Sequence, residues 1–196
     1  MAYSPVLKLP ETYDIFDFTN GYQRDRARGL YGVGRYNEKR SGMYTTALFS
    51  PADENARDIH VGIDIGAPAG TDVFAFDNGE IFLTGINEAP GDYGGTIITV
   101  HNFQGQTLWA LYGHLSHASV DLRKPGDRFQ AGEVLGQLGV EKENGGWNPH
   151  LHFQLSWVKP LTCDLPGVVA EKDRAQALRD YPDPRLVLGA LYADEL

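Results

Sequence analysis

The chain reads as an all-β protein built from antiparallel sheets closed into a sandwich or barrel. Short segments of alternating or continuously apolar residues recur between residues 59 and 157, glycine- and proline-containing turns separate them, and only one late stretch has helical composition. With 196 residues, 42% of them hydrophobic, the chain suffices for one domain with a substantial core. A single domain over 1–196 is expected, with an N-terminal flap or edge at 1–42, a core at 58–157 and a covering segment at 158–196.

Residues 1–42 are mixed and aromatic, with Tyr13, Phe16, Phe18, Tyr22, Tyr31 and Tyr36. Burial of such rings against the core is the expected outcome, and a binding surface the less common one. Strands are predicted at 59–65, 72–76, 79–86, 95–101, 107–113, 133–138 and 150–157, divided by turns such as Asp77-Asn78-Gly79, Pro90-Gly91-Asp92 and Lys124-Pro125-Gly126-Asp127. In 59–65, Val61, Ile63 and Ile65 argue against helix, and a kink is expected at Gly62, where unusual backbone angles would let His60 and Asp64 converge. Ala170–Arg179 has good helix propensity and ends before Tyr181-Pro182.

Composition narrows the function. With 17 basic and 26 acidic side chains, the net charge of −9 disfavours nucleic acid and anionic surfaces. No membrane partner is expected. The opening residues lack the basic and long apolar regions of a secretory leader, so a cytoplasmic location is expected, with export the alternative for a trimmed chain. Cys163 is the sole cysteine, which excludes a fully sulfur-ligated metal site.

Four of the six histidines fall in three short patterns: His60-Val61-Gly62-Ile63-Asp64, Tyr112-Gly113-His114-Leu115 and His150-Leu151-His152. Taken singly, such pairs are ordinary hydrogen-bonded or surface groups. Together, at strand ends beside glycine or proline, they supply the imidazoles and carboxylate of a catalytic zinc site that keeps one position for water. On a strand, His150 and His152 face one way about 6.6 Å apart, so one can bind metal while the other reaches its water. His101 and His117 match no pattern and read as structural or solvent-facing.

These three motifs, with Gly66-Ala67-Pro68-Ala69-Gly70-Thr71, Lys124-Pro125-Gly126-Asp127 and Ala131-Gly132-Glu133-Val134-Leu135-Gly136 between them, resemble the lysostaphin-type (LytM-like) zinc metallopeptidases over about residues 58 to 157. The resemblance implies a β-sandwich/barrel hybrid of the duplicated hybrid motif type, with zinc on a groove floor. It further implies His60, Asp64 and His152 as Zn2+ ligands, and His114 and His150 as catalytic groups beside the open position, acting as general base or as donors to the oxyanion. One departure is visible: Asp53-Glu54-Asn55-Ala56-Arg57-Asp58 lacks the substrate-holding tyrosine that peptidoglycan-cleaving members often carry before the first ligand. Residues 164–184 weakly resemble a metallopeptidase-like domain of cytosolic proteins that also carry kinase-like and aminotransferase domains.

The expected activity is zinc-dependent hydrolysis of peptide or amide bonds, with a peptidoglycan cross-link peptide as the family's substrate. The alternative is a non-catalytic domain that retains zinc for binding. A carbohydrate-binding reading would need exposed aromatics at a groove. Trp109 and Trp157 lie in strands as core residues, and only Trp147, in a loop, is placed to line a site.

Overall fold

The computed structural model describes residues 3–21, 31–49 and 55–193. Its strands are β1 (Asp14–Phe16), β2 (Gly32–Gly34), β3 (Arg57–His60), β4 (Ile63–Gly66), β5 (Asp72–Phe74), β6 (Gly79–Asn87), β7 (Gly94–Phe103), β8 (Gln106–Leu115), β9 (Arg128–Phe129), β10 (Val134–Gln137), β11 (His150–Ser156) and β12 (Val168–Ala170). Three short helices, α1 (His117–Asp121), α2 (Arg174–Asp180) and α3 (Arg185–Leu188), lie among and after them. No helix among the described residues is long and apolar enough to cross a membrane.

Eight strands form one sheet in the order β1-β2-β4-β11-β8-β7-β6-β9, and two ribbons, β5–β10 and β3–β12, complete the all-β architecture. All pairings are antiparallel except β1 with β2, which run parallel. That pair is a departure from the purely antiparallel expectation. It places the aromatic N-terminal segment at the sheet edge, where Phe18 is buried and Tyr13, Tyr31 and Tyr36 pack half-buried against the core. Tyr22 lies outside the described residues.

The centre of the sheet carries the functional motifs because its strands are apolar on the face turned to the core. In β11, Leu151, Phe153 and Leu155 are fully buried among Ile63, Ala110 and Tyr112, and burying each such side chain stabilises by about 1.5–3 kcal/mol. The alternation of apolar and polar residues along this strand suggests one exposed face; instead His152, Gln154 and Ser156 on its other face are buried too, with Tyr93 and the 164–167 segment packed at His152 and Gln154. β7 and β8 are joined through Gln104 and Gly105, both at positive φ (51° and 87°), the two-residue geometry that suits hairpin twist. This tight connection sets the β7–β8 register and so where His114 falls.

The predicted segment 59–65 is two strands, broken at Val61 and Gly62. The kink is where it was expected, but its cause differs. Gly62 does not adopt positive φ; a Cβ there would lie 2.4 Å from Cε1 of His152, so glycine is required for space. At the C-terminal end, Ala170 belongs to β12, Glu171–Asp173 form a 3-10 turn, and α2 follows. Trp109 and Trp157 are half-buried against core clusters, away from the groove.

Candidate metal centre

β4 and β11 are neighbours, and their antiparallel register sets His152 directly opposite Asp64. His60, at the end of β3, enters from beyond the kink. The consequence is a triangle of ligand atoms: His60 Nε2 to His152 Nδ1 is 3.1 Å, His152 Nδ1 to Asp64 Oδ1 is 3.0 Å, and His60 Nε2 to Asp64 Oδ1 is 3.2 Å. Among the described residues these three form the group of His, Cys, Asp and Glu side chains able to hold a metal ion. A tetrahedral ion with bonds of about 2.0–2.1 Å has ligand atoms roughly 3.3–3.4 Å apart, so the triangle fits within a few tenths of an ångström. Two imidazoles and one carboxylate are the donor types that zinc accepts.

The outer contacts aim these atoms. His60 Nδ1 donates to the Arg35 carbonyl at 2.8 Å, which leaves the Nε2 lone pair facing the triangle. His152 Nε2 donates to Gln154 Oε1 at 3.1 Å, leaving Nδ1 as its ligand atom. Asp64 Oδ2 accepts from Arg40 Nη1 at 2.6 Å, so Oδ1 alone points inward. Burial, then the charge of Arg40, lowers the pKa of His60 to about 4, and it stands neutral at pH 7. For Asp64, burial acts to raise the pKa, but His60 and Arg40 outweigh it and hold the carboxyl well below its ordinary range.

His114 and His150 flank the triangle. Their ring centroids are 4.2 Å apart, and His150 Nε2 is 3.8 Å from Asp64 Oδ1. Each donates Nδ1–H to a backbone carbonyl, His114 to Asn144 at 2.9 Å and His150 to Asn148 at 2.7 Å, so both present an unprotonated Nε2. Burial lowers both pKa values, and for His114 the neighbouring His150 and His152 lower it further. His114 has φ +64°, a left-handed conformation rare for a non-glycine residue. It sits where the β7–β8 register slips between Gly95 and Ile97, and such irregularities re-aim side chains at functional sites.

All five residues border one cavity of about 250 Å³, whose walls include Tyr44, Phe49, Tyr93, Trp147 and Leu165. Trp147 holds its place by donating Nε1–H to the Gly91 carbonyl. A smaller hollow lined by Phe16, Phe18 and Met43 also borders Asp64 and His150. His101 and His117 stand apart from this cluster, His101 buried and His117 half-buried. Residues 53 and 54 of the segment lacking a tyrosine lie outside the described residues. Arg40, Tyr44, Tyr93 and Gln154 were not anticipated. Gln154 carried a signal, since it continues the alternation of His150 and His152 along β11.

Residues 58–162, just over half of the chain, match the model of Peptidase family M23. The chain is 31% identical over 134 residues to the DD-carboxypeptidase/endopeptidase Mpg of Neisseria meningitidis, covering 61% of this chain and 28% of that protein. It is 33% identical over 128 residues to the cell division protein DipM of Caulobacter vibrioides, covering 65% of this chain and 17% of that protein. The chain thus spans less than a third of the length of either relative. The catalytic domain of the prophage-encoded M23 protein EnpA from Enterococcus faecalis aligns with a TM-score of 0.48 at 24% identity, covering 69% of this chain and 87% of that one. On the match over residues 58–162, the chain belongs to peptidase family M23, a family of metallopeptidases.

Proposed function

We propose that this chain is a zinc-dependent peptide hydrolase, with the ion held by His60, Asp64 and His152, and with His114 and His150 as the proton-handling pair. The observation that carries the reading is the triangle of ligand atoms 3.0–3.2 Å apart, with His150 Nε2 3.8 Å from Asp64 Oδ1 and the His114 ring 4.2 Å from that of His150. A zinc ion held by these residues would supply Lewis acidity and would lower the pKa of a bound water towards about 7.

The chain's own groups supply the rest. The backbone carbonyls of Asn144 and Asn148 fix both histidines in the tautomer whose Nε2 accepts a proton. Either ring can therefore take the proton of the attacking water and return it to the leaving amine. Because the rings lie 4.2 Å apart, protonation of one opposes protonation of the other, and the pair handles a single proton at a time. The protonated ring then donates to the oxyanion of the tetrahedral intermediate. Tyr44, Phe49, Trp147 and Leu165 give the cavity apolar walls beside these polar groups, suited to an extended peptide.

The substrate class we infer is a cross-link peptide of peptidoglycan. Support comes from the names of relatives: besides Mpg, a peptidoglycan DD-endopeptidase, ShyC of Vibrio cholerae, is 31% identical over 111 residues, covering 55% of this chain and 23% of that protein. Incubation of the zinc-loaded chain with cross-linked wall peptides and a panel of dipeptides and amides, read by mass spectrometry, tests it. Cleavage of wall peptides that disappears in His114→Ala is expected. Zinc-loaded protein that binds these peptides without cleaving any would establish the non-catalytic binding reading instead.

A further inference from the structure

The guanidinium of Arg40 is completely buried yet lies in a segment outside the residues that match the family. Its Nη1 donates to Asp64 Oδ2 at 2.6 Å and to the Tyr44 hydroxyl at 3.0 Å, its Nε to Glu38 Oε2 at 2.8 Å, and its Nη2 to the Arg35 carbonyl at 3.4 Å. The Phe18 ring covers it at 4.9 Å, and a Cβ on Gly34 would lie 2.8 Å from Nη2. The buried group thus makes four hydrogen bonds and one ring contact. The Arg35 carbonyl that receives Nη2 also receives Nδ1–H of His60.

We propose that Arg40 is a positioning residue of the metal centre, which engages Oδ2 of Asp64 so that the carboxylate serves as a one-oxygen ligand. A free carboxylate can offer both oxygens to one cation, which raises its coordination number. Arg40 prevents this by a short charge-assisted bond to the second oxygen, and leaves the remaining coordination place to water and substrate. Its charge also offsets that of Asp64, so an ion held there keeps more of its positive character. Glu38 balances Arg40, which allows the guanidinium to remain buried. Lysine cannot reproduce the arrangement, because one ammonium lacks the fork that reaches Asp64, Glu38 and Arg35 together.

This inference rests on the proposed metal centre, and cobalt(II) substitution separates the two. The wild-type chain is expected to bind one cobalt(II) ion with the intense visible absorption of four-coordinate geometry. Arg40→Met is expected to show the weaker spectrum of a five-coordinate ion and an ion affinity changed by about tenfold or more, with Arg40→Lys only partly restoring the wild-type spectrum. If Arg40→Met leaves Glu38 unbalanced and fails to fold, the double variant Glu38→Gln/Arg40→Met removes both charges and takes its place. A wild-type chain that binds no ion refutes the metal centre itself. A wild-type chain that binds cobalt, with spectrum and affinity unchanged in whichever Arg40 variant folds, refutes the role of Arg40 alone.

Discussion

Two buried histidine environments, one at His101 in the large sheet and one where that sheet meets the β3–β12 ribbon, have opposite chemistry. At His101, both ring nitrogens are engaged: Nε2 with Thr99 Oγ1 at 2.7 Å and Nδ1 with the Asn78 carbonyl at 2.9 Å, while Phe76 and Phe129 pack on the ring. At the metal centre, His60, His114 and His150 each donate one nitrogen to a backbone carbonyl and turn the other inward, and His152 does the same through Gln154. Burial is common to both places. What distinguishes them is what the second nitrogen meets: a threonine hydroxyl at His101, but the other members of the Asp64 triangle at His60 and His152, so the direction set by the outer contact, more than depth, marks a histidine available for chemistry.

The comparison breaks most visibly at Asp64. Asp64→Ala removes one of the three proposed ligands and one of Arg40's partners, so elemental analysis is expected to show loss of the bound ion and assays a loss of activity; full metal content in this variant would contradict the triangle. Removing a proton-handling group should separate binding from chemistry. His114→Ala is expected to retain its ion while turnover falls about 10²–10⁴-fold, and unchanged turnover would remove His114 from the mechanism. A smaller effect is expected at Gly62→Ala, whose methyl would lie 2.4 Å from the His152 ring. Overpacking of this kind costs about 1–3 kcal/mol, visible as a lower denaturation midpoint with weaker metal retention.

The last effect, similar in size to that at Gly62, concerns the closed histidine. Burial lowers the pKa of His101 to about 4, below its ordinary value of 6.5. Below the unfolded value the unfolded chain takes up a proton that the folded chain refuses, so stability is present above pH 6.5 and is lost as pH falls towards 4. Between pH 7 and pH 5 that loss is about 2 kcal/mol. His101→Phe should therefore show a shallower decline of its urea midpoint over this range, with peptide hydrolysis at pH 7 unaltered. A fall in hydrolysis would show that the two environments are coupled.

Much of this site was legible because its parts are local. The alternation in Pro149–Leu155 sets His150 and His152 on one face, and Gly62 between His60 and Asp64 marks a break in the strand; both can be read from a few adjacent residues. Gln154 is readable by the same period of two. Arg40 is not, because nothing near it in sequence signals that a ligand oxygen 24 positions away will meet its guanidinium. The steric reason for Gly62 is hidden likewise, since the atom it must avoid belongs to a ring on another strand. The parallel β1–β2 pair escaped notice because three-residue strands carry too little periodicity to announce a partner.

The pairing of β11 with β4 has a consequence for assigning duties within His150-Leu151-His152. His152 faces Asp64 and His150 faces Gly66. Sliding β11 by two positions would keep every side chain on its own face and bring His150 opposite the carboxylate in place of its neighbour. The two imidazoles are chemically identical, so their division of labour is written in the alignment of two strands. Whatever fixes that alignment, above all the fit of Leu151, Phe153 and Leu155 into the core, decides which ring lies opposite the carboxylate and so which would hold the ion in the proposed mechanism.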